Sequence, residues 1–100
     1  MLEKTVRKKI VDWAKEHGFL VRKYYGSPFS HVGTGDLILC YRGKFIMIEV
    51  KKPGKEPTEA QFKTIKEVLE HGGHASWFDN SSRAIGWLQA VKDTIDRESN

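Results

Sequence analysis

One cysteine, Cys40, stands in a chain of 100 residues, so no internal disulfide can form, and a reducing compartment suits it. No run of eighteen apolar residues appears, which excludes a membrane-spanning helix. No charged-then-apolar opening segment reads as a signal peptide. There are no repeats, no low-complexity tracts and no Gly/Pro/Ser stretch long enough to divide domains. With the apolar fraction at 39% and the charged fraction at 30%, a single soluble domain over residues 1–100 is expected. The expected location is intracellular, with no membrane partner and no small-molecule cofactor.

The net charge of +4 and pI near 9.3 are mild. Their distribution is more informative. Residues 1–31 carry a net +4, residues 32–57 a net +2 and residues 58–100 a net −2. A basic first two thirds fits a polyanionic partner such as nucleic acid.

Apolar spacing divides the chain. Leu2, Val6, Ile10, Trp13 and Ala14 predict a helix over residues 2–17, stopped by Gly18. Phe19 to Tyr25 is strand-prone, and residues 26–35 form a polar, glycine-rich loop. Leu37–Tyr41 and Phe45–Val50 read as strands around Arg42-Gly43. Thr58-x-x-Gln61 has capping-box spacing ahead of a helix with Phe62, Ile65 and Leu69 as its apolar stripe. Ala75–Phe78 is a short strand. Ser81 or Ser82 can cap a last helix bearing Ile85, Leu88, Val91 and Ile95. The order is α-β-β-β-α-β-α, an α/β fold.

The segment GTGDLILCYRGKFIMIEVKK, residues 33–52, holds the chemistry. Taking Arg42-Gly43 as a two-residue turn puts Tyr41 opposite Lys44 and Asp36 opposite Glu49. Facing residues share a side of the sheet with Cβ atoms about 4.5–5.5 Å apart, and Lys51, two residues on, shares that side. Two close carboxylates repel unless a proton or a cation lies between them. Hard oxygen donors there suit Mg²⁺ or Mn²⁺, and a lysine alongside can act on water and phosphate. The competing reading is a hairpin whose ends carry solvated charges. Glu-x-Lys alone arises by chance about 0.4 times per 100 residues. Its weight here comes from the apolar run before it and the opposed aspartate.

These residues resemble the PD-(D/E)xK nuclease superfamily. The approach Gly33-Thr34-Gly35-Asp36, the run into Ile48-Glu49-Val50-Lys51, Thr58-x-x-Gln61 and Glu3 in the first helix resemble its VRR-NUC (virus-type replication-repair nuclease) family, over nearly the whole chain. Gly35 stands where the superfamily commonly has proline, which leaves the aspartate ligand in place. The resemblance implies a restriction-endonuclease-like core, a mixed sheet flanked by helices, and divalent-metal cleavage of DNA. It implies Asp36 and Glu49 as metal ligands with the Val50 carbonyl as a further one. Lys51 would be the catalytic lysine, with Glu3 and Gln61 completing the site. Short stand-alone members suggest a homodimer acting on branched DNA such as four-way junctions, and the resemblance implies the cytoplasm of a bacterial or phage-infected cell. The alternative function is a nuclease-like fold that binds nucleic acid without cutting it.

Other residues have rival explanations. Gln61 as the third helical residue could turn back to the Thr58 backbone instead of into the site. Glu3 is favoured in a first helical turn by the macrodipole alone. Lys4, Lys8, Arg22, Lys23, His31 and Lys52 are candidate nucleic-acid contacts, though the helical lysines also read as a solvated face and Lys52 should point away from Lys51. His71 and His74 lack metal-ligand partners and suit a helix C-terminus. Ser30, His31 and Asp36 lack the strained elbow of a nucleophile triad. Gly33-Thr34-Gly35 is no P-loop. Trp13, Trp87 and Phe62 are core or interface candidates, with the last helix and Trp87 as the expected dimer contact.

Overall fold

The computed structural model describes residues 2–23 and 37–99. Helix α1 spans Glu3–Glu16, strand β1 Leu20–Lys23, β2 Leu37–Tyr41, β3 Lys44–Val50, helix α2 Glu59–Glu70, β4 His74–Phe78 and helix α3 Ser81–Glu98. Among the described residues the predicted α-β-β-β-α-β-α order holds. The sheet runs β1-β2-β3-β4, antiparallel through β3 and parallel between β3 and β4, with α2 as the crossover.

Alternation sorts the sheet into two faces. Val21, Leu37, Leu39, Ile46, Ile48 and Val50 point to one and pack with Val6, Ile10 and Ala14 of α1 and Ala84, Leu88 and Ile95 of α3. Met47 and Ala75 point to the other and pack with Ile65 of α2. The first layer is the larger core; the second is thin. This corrects the expected stripe of α2: Ile65 is buried, but Phe62 and Leu69 are 45% and 53% exposed. Trp87, a core or interface candidate, is half-buried and packs on the core with its ring 5.6 Å from Phe78.

Helix ends close by recognisable chemistry. At the end of α1, Phe19 N–H donates to Ala14 and Gly18 N–H to Lys15, with Gly18 at φ 87°, the paired bonds of a Schellman cap. α2 ends in the same bond pattern at Gly72 and Gly73, preceded by His71, whose Nδ1 donates to the Glu67 carbonyl at 2.8 Å. α3 is capped by Asn80, whose side chain accepts from Arg83 N–H at 3.0 Å, and not by Ser81 or Ser82. Asn ranks with Ser as a cap, so residue type alone does not separate the three neighbouring candidates.

The hairpin turn fixes the register. Arg42 and Gly43 have φ of 49° and 80°, the pair of positive values of a type I′ turn. Glycine accepts this freely; arginine does not. Asp96 of α3 gathers around that turn: it accepts from Tyr41 Oη at 2.7 Å, pairs with Lys92 at 3.2 Å and lies 3.5 Å from Arg42. The Tyr41 hydroxyl first, and then Lys92, hold the Asp96 carboxyl below its usual 3.8. A depressed carboxylate contributes stability that is present above its unfolded value and lost as pH falls through the folded one. Asp96→Asn should therefore be less stable than wild type at about pH 7, and the difference should shrink at about pH 2. Urea midpoints at the two pH values check this; a pH-independent difference contradicts it.

Candidate active site at the end of β3

β3 buries five successive residues, Ile46 to Val50, and the fourth is an acid. Glu49 is 5% exposed. Its parity is that of Met47, so it faces α2, and across the parallel pair it is level with Trp77. Backbone pairing continues past the strand, since Lys51 N–H donates to Phe78 O at 2.9 Å. That bond keeps the chain extended and turns the Lys51 side chain to Glu49's side.

Gln61 joins the two. Its Nε2 donates to Glu49 Oε1 at 2.7 Å, and its Oε1 accepts from Lys51 Nζ at 3.3 Å. The same Oε1 accepts from Thr58 N–H at 2.8 Å, while Thr58 Oγ1 accepts from Gln61 N–H at 3.2 Å. The capping box and the site are rival explanations for Gln61 in the sequence; in the structure the amide serves both. Its orientation follows from its neighbours: a carboxylate accepts, whereas an ammonium and a backbone N–H donate, so only one flip satisfies all three. Helix α2 thus begins where it does because Thr58 caps it, and the cap aims the amide at the carboxylate.

The register is fixed through Leu37 opposite Ile48, with Tyr41 opposite Lys44 as expected from the turn. Asp36, one residue beyond that pair, lies outside the described residues, as does His31. Among the described residues no three His, Cys, Asp or Glu side chains gather to hold a metal. Glu3 is placed apart from this cluster: its carboxylate takes Arg7 Nη2 at 2.8 Å, on the helix that packs against the opposite face of the sheet from α2. Val50 is buried at the end of β3, level with Phe78. Lys52 is exposed, and its carbonyl accepts from Lys55 N–H in a turn through Pro53 and Gly54. Lys4, Lys8, Arg22 and Lys23 are all exposed, with Lys8 paired to Asp12 at 2.6 Å.

Two neighbours of the cluster escape sequence reasoning. Trp77 stands beside Glu49 and meets Phe62 edge-on, ring centres 6.3 Å apart. Asp79 accepts from Gly54 N–H at 3.1 Å, tying the turn after Lys52 to the end of β4. Both depend on the parallel β3–β4 register, for which no local sequence signal exists.

The architecture matches a solved structure described as a VRR_NUC domain, with a TM-score of 0.72 and 22% sequence identity over 87% of this chain and 94% of that one. No family model matches the sequence, and no curated protein does. The chain therefore has the α/β fold of that VRR_NUC domain, with a mixed four-stranded sheet flanked by helices among the described residues. No helix among the described residues is long and apolar enough to cross a membrane.

Proposed function

We propose that this protein is a Mg²⁺- or Mn²⁺-dependent endonuclease that hydrolyses DNA phosphodiester bonds. The observation that carries the reading is the contact of Glu49, Gln61 and Lys51 on one face of the sheet. A buried carboxylate with one oxygen oriented by an amide is a hard donor suited to such a metal. Glu49 would hold it with Asp36, and the Val50 carbonyl is a further candidate. A bound divalent ion supplies charge neutralisation at the phosphate and acidifies water.

The remaining work falls to the chain. Lys51 has three N–H donors and directs one to Gln61, so the others can orient the attacking water and offset charge on a phosphoryl oxygen. Water bonds to phosphorus, one P–O ester bond breaks, and a phosphate monoester and a hydroxyl remain. Gln61 holds Glu49 and Lys51 at fixed separation throughout. Glu3, paired with Arg7 on α1, would join this site only as the family resemblance implies.

The preferred substrate in this reading is a branched DNA such as a four-way junction, cut by a homodimer. The junction's two opposed strands are related by approximate two-fold symmetry, and an isologous dimer presents two copies of one site in that symmetry. A panel of single strand, duplex, flap and junction, each with Mg²⁺, Mn²⁺ or EDTA, tests this alongside sedimentation. Metal-dependent cutting of the junction by a dimer is expected. Binding without cutting in either metal would leave a nucleic-acid-binding domain, and a monomer cutting duplex as readily as junction would leave a generic nuclease.

A further inference from the structure

A hollow of about 270 Å³ lies between α1 and the end of β1, floored by Val11 and ringed by cations. Two of those cations are already compensated. Arg7, only 8% exposed, is paired with Glu3, and Lys8 is paired with Asp12. The other three are not: among the described residues no carboxylate pairs with Lys4, Lys15 or Lys23. Helix stability does not explain this set. Lys15 suits the last turn of α1, but Lys4 sits in the first turn, where the macrodipole opposes a cation. Lys4 also lies one turn from Lys8, a like-charge spacing that disfavours the helix.

The position of the hollow gives it meaning. Lys23 faces Leu37 and has the parity of Val21, so it points to the α1 face; Arg22, facing Ile38, points to the α2 face with Glu49. Among the described residues, the outer strand of the sheet therefore ends in one cation on each side. Lys23 is one row short of Glu49 and two strands away, about 10 Å across the sheet. From there Lys4 to Lys15 extends along about 16 Å of helix, the rise of about five base pairs.

We propose that this hollow is a second binding site for the backbone of duplex DNA, on the opposite face of the sheet from the carboxylate cluster, reached over the β1 edge between Arg22 and Lys23. The substrate then engages both faces of one subunit: one segment lies at Glu49 and Lys51, and a continuing or neighbouring segment lies along α1. This rests on the nuclease reading for the identity of the polyanion and extends it from a single cleft to a path. It also makes a duplex long enough to turn the edge, or a branched molecule with a second arm, a better ligand than a short one.

The test is fluorescence anisotropy of labelled duplex and four-way junction in EDTA across a salt series, so that binding is read without cleavage. The variant Lys4→Gln/Lys15→Gln/Lys23→Gln is compared with Lys44→Gln/Lys63→Gln/Lys66→Gln, which removes the same charge from exposed positions on the hairpin and α2. The hollow variant should flatten the slope of log affinity against log salt by about 0.9 for each phosphate no longer neutralised, up to about 2.7. The control should leave the slope near wild type. Equal changes in both variants mean that only net charge matters, and overturn the site. A wild-type protein that cuts DNA while the hollow variant binds like wild type also overturns it and leaves the nuclease reading standing. A wild-type protein that shows the hollow-dependent slope but never cuts supports the site and removes the nuclease reading. No binding at all removes both.

Discussion

Lys51→Ala should lower the rate of DNA cleavage about 10²–10³-fold at saturating metal, with the metal still bound and the fold intact. The loss is confined because Gln61 Oε1 keeps its bond from Thr58 N–H when the Lys51 ammonium is removed, so the amide still presents Nε2 to Glu49. What disappears is the cation beside the reacting phosphate. Lys52→Ala should cost far less, since Lys52 is exposed, follows the last ladder bond and by alternation belongs to the other side from Lys51. Single-turnover cleavage of a labelled substrate gives the rates, and calorimetric titration with Mn²⁺ gives the metal affinity. A dead Lys52→Ala beside an active Lys51→Ala would place the chemistry on the wrong side of the strand and refute the cluster.

Glu49→Gln should weaken Mn²⁺ binding and cleavage by at least about 100-fold, whereas Gln61→Leu should cost about 10–100-fold. The ranking follows from role. Glu49 would touch the metal; Gln61 only orients it. The Glu49→Gln side chain keeps an oxygen for the Gln61 Nε2 donor, so the helix and sheet stay together while the charge is lost. Asp36→Asn should resemble Glu49→Gln, because the hairpin register runs toward it from Leu37 opposite Ile48. Calorimetry and cleavage on the three variants check the order. Wild-type Mn²⁺ affinity in Glu49→Gln would remove the metal role from this carboxylate.

The hairpin is legible in the sequence because its determinants are local. A two-residue turn with glycine second has few backbone solutions, and once it is set the pairing of Leu37 with Ile48 follows by alternation. The Thr58-x-x-Gln61 cap is legible for the same reason, down to both of its hydrogen bonds. What local pattern does not supply is the partner across the sheet. β4 pairs in parallel through a crossover helix, so the placement of Trp77 beside Glu49 depends on tertiary packing. The apolar stripe of α2 misleads in a related way: Phe62, Ile65 and Leu69 share helical spacing, but the sheet beneath is narrow and only Ile65 reaches its interior. Arg42 at positive φ has no sequence signal, because arginine is a poor choice there taken alone. Its compensation, Asp96, comes from a helix more than fifty residues away.

At the third position of a capping box, glutamate and glutamine are ordinarily interchangeable, since either offers an oxygen to the backbone N–H of the cap. Here they are not. Gln61 must also give a proton to Glu49, and a glutamate at the same place would keep the oxygen, lose the donor and set a second negative charge against a buried carboxylate. A substitution that is silent for helix formation is thereby made costly by a neighbour on another element. Position 61 is a point where mutational drift that the helix alone would tolerate is closed off, and where redesign of α2 for stability has to leave one amide untouched.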